Sequence, residues 1–287
     1  MTPTLRFAPS PNGELHLGHA LSALIGFDMA QALGGRFLVR IEDIDVVRCR
    51  PEHIAAALED LRWLGLSWEE PVLHQSRHFA DYAAAVAGLT RMGVTYPCFA
   101  TRAEIAKAAG GSGAVDPDGA AIYPGLYKGY DGEEAARRIN SGEPYALRLD
   151  MDRAISLARV KLGGRPLTFT ETGPDGDRRT IQARPERWGD AVIVRKDVPT
   201  SYHLSVVVDD TRQGITHVTR GMDLFVATDL HRLLQVLLDL PEPLYHHHHL
   251  LTDDTGRKLA KSAKDTSLRS LRLSGWTAAD VRRAINR

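Results

Sequence analysis

Cysteine is nearly absent: Cys49 and Cys98 are the only two in 287 residues. Two thiols cannot build a disulfide framework, and alone they cannot make an all-cysteine zinc site. An excess of one charge is missing too, because 36 Lys+Arg balance 36 Asp+Glu. That balance excludes a histone-like polycation but not a local basic patch. No apolar run approaches the roughly 18 residues of a membrane span. The opening MTPTLRFAPSPNG has no apolar core of a signal peptide, so a cytoplasmic protein is expected. What remains is an ordinary globular composition, 43% hydrophobic and 25% charged. The length fits one large α/β domain, or one domain with insertions.

The chain opens as strand, loop, helix. Thr4–Ala8 is short and apolar, and Pro9, Pro11, Asn12 and Gly13 break it. Leu21, Leu24, Ile25, Met29 and Leu33 then recur at helical spacing until Gly34-Gly35. Phe37–Ile41 reads as the next strand, ending in Glu42-Asp43, and Pro51 starts a helix traced by Ile54, Leu58 and Leu61. This order predicts a Rossmann-type parallel sheet in an α/β fold, with chemistry at the carboxyl ends of its strands. Tyr145–Leu149 and Val160–Phe169 read as short strands, and Leu204–Val208 as a buried strand ending in Asp209-Asp210. Leu230, Leu233, Leu234, Leu237 and Leu238 mark an amphipathic helix with Thr228 as its expected cap. Thr277–Asp280 has the form of a capping box for a last short helix. The expected organisation is a first catalytic half over 1–95, an inserted α+β subdomain over 96–184 and a second catalytic half over 185–240. A loop and short helical segment over 241–287 would close the chain.

Two stretches carry chemistry. His16-Leu17-Gly18-His19 follows a strand and a Pro/Gly loop and opens a helix. Its imidazoles can donate to charge building on a phosphate, beside the positive end of the helix. Gly18 would leave the backbone bare for a flat base. Gly256-Arg257-Lys258-Leu259-Ala260-Lys261-Ser262 is a polar, turn-rich stretch. Its lysines could close over a triphosphate and offset its charge as pyrophosphate leaves. From Pro241 to Arg287 there are nine Lys/Arg and five Asp/Glu, a mild local excess of positive charge.

Together these stretches resemble the two signatures of class I aminoacyl-tRNA synthetases. Arg6–Ala20 is similar to the glutamyl-type opening, where the glutaminyl type has glutamate in place of Ser10. Phe37–Asp45, Tyr202, Val206–Asp210, Gly214–Val218 and Arg220–Leu224 extend the resemblance over nearly the whole chain. The chain ends about 25 residues after Ser262, so no anticodon-binding domain is expected. That short form resembles the glutamyl-Q tRNA(Asp) synthetase family. The resemblance implies an ATP-dependent aminoacyl ligase that activates L-glutamate with ATP, accompanied by Mg2+, without needing tRNA. It implies transfer to the queuosine base of tRNA(Asp), by a monomer with no membrane partner. A catalytic fragment of an ordinary glutamyl-tRNA synthetase, a small-molecule nucleotidylyltransferase and a silent tRNA-binding module stay open as alternatives.

By the same resemblance, catalysis falls to His16, His19 and Lys261. Glutamate contacts fall to Arg6, Phe7, Ala8, Pro9, Ser10, Glu42, Tyr202 and Arg220. ATP contacts fall to His16, Gly18, His19, Lys258, Lys261 and Ser262. A pocket for glutamate needs cationic groups for two carboxylates and an anion for one ammonium, and Glu42 is the natural ammonium partner. Which arginine takes which carboxylate is not readable. The family often binds zinc through Cys-x-Cys and a later Tyr-x-x-x-Cys. Here Ala100 stands two after Cys98, and Tyr127 stands four after Tyr123, so no structural zinc is expected. His246–His249 is read as a segment leading to the lysine loop, not as a metal site. Trp63 and Trp68 are read as packing groups, and Cys49 has no assigned role.

Overall fold

The computed structural model describes residues 2–110, 114–173, 176–251 and 266–285. Strand β1 (Thr4–Phe7), helix α1 (Leu17–Ala32), strand β2 (Arg36–Ile41), helix α2 (Pro51–Trp63), strand β3 (Glu69–His74) and helix α3 (Phe79–Arg91) alternate. The order of the first four is the one the apolar spacing predicts, and β3 and α3 extend it. Pro51 occupies the first turn of α2, where its missing N–H is no loss. Gly34 follows α1 at φ +58°, a left-handed conformation that glycine adopts without a Cβ clash. β2 pairs in parallel with β1 on one side and β3 on the other.

The middle holds strand β4 (Thr95–Cys98), helices α4 (Arg102–Ala108) and α5 (Gly132–Asn140), strand β5 (Ala146–Leu149) and helix α6 (Met151–Lys161). A hairpin of β6 (Thr168–Thr172) and β7 (Arg178–Gln182) follows, then β8 (Val192–Val194). Next come α7 (Tyr202–Arg212), β9 (His217–Gly221), α8 (Ala227–Leu237), β10 (Leu244–His248), α9 (Leu268–Leu273) and α10 (Ala278–Ile285). Strand pairing cuts across the boundaries expected at 96 and 184. β6 pairs with β10, giving a sheet of order β7-β6-β10-β9, whereas β8 joins β4 and β5 in a separate antiparallel sheet. β1 lies beside β9, tied by Thr216 N–H donating to the Thr4 carbonyl (2.9 Å). The chain therefore winds outward from β1 through β2 to β3 in one direction and from β9 through β10 in the other. This is a Rossmann-type α/β arrangement, and the crevice at its switch point opens at the carboxyl ends of β1 and β9.

Three local expectations are corrected. Leu204–Val208 is not a strand but the body of α7, in which Leu204 to Val207 and Asp209-Asp210 are all buried. A helix enclosed on most sides carries a continuous apolar run, as a buried strand does, so periodicity does not separate them. Val160–Phe169 is the end of α6 and a turn through Gly163 and Gly164; the strand starts only at Thr168. Thr228 does not cap α8, whose N-cap is Val226; its hydroxyl serves Arg220 instead.

Two main cores form. One joins α1, β1, β2 and α2 to the last two helices through Leu268, Leu271, Val281 and Ile285, with Trp63 and Trp68 packed at its edge. The other gathers α6, α7 and α8. No helix among the described residues is long and apolar enough to cross a membrane.

Candidate active site

His16 is the N-cap of α1, and its ring folds back so that Nδ1 accepts from Gly18 N–H (3.1 Å). His19 Nδ1 accepts in turn from His16 N–H (3.2 Å). This is a capping box made from two imidazoles. A backbone N–H can only donate, so both Nδ1 atoms are acceptors. Each neutral ring then carries its proton on Nε2, the atom that would donate to a phosphate oxygen. Gly18 makes room for the His16 ring: a Cβ there would stand 2.9 Å from His16 Cε1. This close approach is a structural reason for glycine at that position, and Gly18 also lines the switch-point crevice.

The switch-point crevice is a cleft of about 520 Å³. Its walls include Arg6, Phe7, Ala8, Pro9, Ser10, His16, Gly18, His19, Glu42, Tyr202 and Arg220. Those are all the sequence-derived candidates among the described residues. Lys258, Lys261 and Ser262 lie outside the described residues. The described residues on either side of that segment do approach the motif. Leu251 lines the cleft, and Ser267 pairs with His16 while Leu268 N–H donates to the Leu15 carbonyl (2.8 Å). A second cleft of about 630 Å³ shares Ser10, Asn12, Glu42 and Tyr202 with the first and runs toward Tyr123, Arg148 and Arg195.

The two candidate arginines have different surroundings. Arg6, buried at the end of β1, is committed to Asp210 through Nε (2.8 Å) and Nη2 (3.3 Å). Arg40, fully buried in β2, joins the same carboxylate (2.8 Å) and reaches Glu42 (3.3 Å). Burial opposes ionisation of Asp210, but Arg6 and Arg40 outweigh it and hold that carboxyl below its ordinary range. At Glu42 burial outweighs the same arginines and pushes the carboxyl up. Glu42 N–H donates to the Pro9 carbonyl (3.0 Å), which fixes the end of β2 against the loop after β1. Burial also raises the Tyr202 phenol.

Arg220, 6% exposed on β9, has three neutral acceptors: His247 Nε2 (3.0 Å), His231 Nδ1 (3.1 Å) and Thr228 Oγ1 (2.6 Å). Among the described residues no Asp or Glu stands within ion-pair distance of it. Burial, then the positive charge of Arg220, holds His231 well below its ordinary range, so it stays a neutral acceptor.

The sequence reading missed Arg40, Asp210, Glu171, His231 and His247. A charged residue inside an apolar strand and two aspartates ending an apolar run were the available signals. Where the related zinc ligands would fall, Cys98 Sγ donates to Tyr123 Oη (3.4 Å), which also accepts from Tyr127 N–H (2.8 Å), and Arg148 stacks 3.9 Å from the Tyr123 ring. One thiol already bonded to a single phenol does not form a zinc donor set. The histidines of 246–249 have separate engagements: His246 Nδ1 with Thr172 O (2.8 Å) and His248 Nε2 with Ser22 Oγ (2.8 Å).

Comparison with known proteins gives a consistent picture. The family described as tRNA synthetases class I (E and Q), catalytic domain, matches residues 4–284. A curated relative, glutamyl-Q tRNA(Asp) synthetase of Rhodobacter capsulatus, is 48% identical over 288 residues, covering 98% of each chain. The protein of the same name from Nitratidesulfovibrio vulgaris is 38% identical and covers 96% of this chain and 83% of its own. Among solved structures, a glutamate-tRNA synthetase from Elizabethkingia anophelis superposes with TM-score 0.73 at 24% identity over 96% of this chain. The matched part is 54% of that longer chain, so this chain spans about half its length, and the likeness speaks to fold alone.

Proposed function

This chain belongs to the class I glutamyl and glutaminyl tRNA synthetase catalytic-domain family, and from that premise we propose an ATP-dependent ligase acting on L-glutamate. In the first step a glutamate α-carboxylate oxygen attacks the α-phosphorus of ATP. The bond to the bridging oxygen breaks, leaving glutamyl-adenylate and pyrophosphate. No protein nucleophile is needed, because positioning and charge stabilisation do the work. His16 and His19 would donate from Nε2 to the phosphate. Glu42 would take the substrate ammonium, and Arg220 a carboxylate, with Arg6, Tyr202 and the Phe7–Ser10 backbone completing the pocket. Lys261, with Lys258 and Ser262, would meet the triphosphate, and Mg2+ would arrive on the phosphates. In the second step an acceptor hydroxyl attacks the adenylate carbonyl and AMP leaves. The acceptor proposed is the queuosine base of tRNA(Asp), approaching a monomer through the second cleft and the 96–184 segment.

The observation that carries the first step is one cleft holding an imidazole pair, a buried carboxylate and an arginine without a carboxylate partner among the described residues. The acceptor rests on the names of the two relatives above. Glutamate-dependent ATP–pyrophosphate exchange without tRNA is the test of activation. Absence of exchange would defeat tRNA-independent activation. Labelled glutamate should then load tRNA(Asp) carrying queuosine. Loading of queuosine-free tRNA or of tRNA(Glu) would defeat the acceptor assignment.

A further inference from the structure

Arg220 is the buried cation that the proposed glutamate site depends on, and three adjacent strands hold it. Glu171 on β6, His247 on β10 and Arg220 on β9 lie on three adjacent strands, with Arg220 and His247 in direct cross-strand register and Glu171 level with Tyr245, two residues before His247. Arg220 Nε donates to His247 Nε2 (3.0 Å). An arginine cannot accept, so the proton of the neutral imidazole sits on Nδ1, 2.8 Å from Glu171 Oε2. Glu171 Oε1 also accepts from His247 N–H (2.8 Å), so one carboxylate fixes both backbone and ring. The Thr228 hydroxyl lies 3.3 Å from His247 Nε2 and accepts from Arg220 Nη2, which closes the ring of bonds. On the far side Arg220 Nη1 meets His231 Nδ1, whose Nε2–H then donates to His203 Nδ1 (3.1 Å).

We propose that Glu171 and His247 are positioning residues that orient Arg220 for a substrate carboxylate while keeping its charge unspent. Arg6 has a carboxylate directly on its guanidinium; Arg220 is linked to the Glu171 carboxylate through one imidazole. The imidazole supplies direction without neutralising charge. A guanidinium has five N–H donors, and the three acceptors take one from each nitrogen. One donor on each terminal nitrogen is then left for a carboxylate. His247 is wedged rigidly for this, stacked on Tyr245 (6.0 Å, 7° between planes) and against Phe225 (5.0 Å). Its side chain is fully buried.

This inference rests on the glutamate reading of the same cleft, and two variants test it. Glu171→Gln keeps one acceptor and loses the other, so it frees either the ring or the backbone. The double variant Glu171→Gln/His247→Glu puts a carboxylate directly on Arg220 with an amide behind it. In pyrophosphate exchange the single variant should raise the glutamate KM several-fold, and the double variant about tenfold or more. kcat and the ATP KM should stay within about twofold. A merely structural role would not select glutamate KM. Long-range proton–nitrogen NMR on histidine-labelled wild type should find His247 protonated on Nδ1 and bare on Nε2. If wild type shows no glutamate-dependent exchange either without tRNA or with tRNA added, the glutamate reading fails and this inference falls with it. If wild type is active but both variants keep its glutamate KM, or His247 carries its proton on Nε2, the positioning role alone is overturned.

Discussion

A Cβ at position 18 would fall 2.9 Å from Cε1 and 3.1 Å from Nδ1 of His16. Gly18→Ala should therefore push the His16 ring off its cap. Losing such a cap costs about 0.5–2 kcal/mol. Losing the set direction of a phosphate donor should cost about 10- to 1,000-fold in exchange kcat. A melting curve and an exchange rate on one sample separate the two effects, and an unchanged rate would remove His16 from the phosphate role. Glu42 carries a prediction in pH. Burial raises its pKa above that of an ordinary glutamate, and only the ionised form pairs with an ammonium. As pH falls through that raised pKa the ammonium partner is lost, so the glutamate KM should climb on the acid side, at a pH above that at which an ordinary glutamate titrates. Glu42→Gln should raise KM at neutral pH by about tenfold or more and flatten the acid limb. A variant that keeps the wild-type profile would move the titrating group elsewhere.

At the scale of elements, helix α1 was legible because its apolar residues keep helical spacing and two glycines stop it. α7 was not, since Leu204–Val208, enclosed in a helix packed between α3 and α8, is a short and nearly continuous apolar run that reads equally as a strand. The cleft residues that end strands, such as Glu42 and Arg220, could be found by motif. Those that act through a neighbour, such as Glu171 and His231, could not, because only cross-strand register and helix packing bring them together. The contact between α2 and α9 has a pH signature of its own. Asp60 is fully buried, neither carboxyl oxygen has a hydrogen-bond partner among the described residues, and Arg272 is 3.6 Å away. Burial raises its pKa to about 6, against the pull of Arg272. An acid raised on folding stabilises the fold below its unfolded pKa, and this contribution is lost as pH rises through the folded value. Between about pH 4 and pH 7 Asp60 should therefore cost roughly 1–3 kcal/mol of stability. Asp60→Asn should recover part of that at pH 7.5 and none at pH 4. Equal melting shifts for the variant at both pH values would refute this.

Over the whole molecule, the last two helices return to the first half of the chain. Leu268 and Val281 are fully buried against α1 and α2, and Arg282 pairs with Asp28 of α1 (2.7 Å). This docking sets Ser267 against His16, while Leu251 lines the cleft. On the reading proposed above, two stretches far apart in sequence would serve one triphosphate, and the hydrophobic contact of the last helices holds the described ends of the intervening segment near the cleft. Leu268→Ala should cost about 2–5 kcal/mol by leaving a cavity. It should also lower exchange kcat at temperatures well below the melting point, because the contact of Ser267 and Leu268 with Leu15 and His16 is loosened. Leu89→Ala in α3 is the control, since Leu89 is equally buried but sits in the other core. It should cost similar stability and leave kcat within about threefold. If the two variants lose exchange equally, helix docking contributes nothing to the site beyond stability, and the lysine segment must find the triphosphate without it.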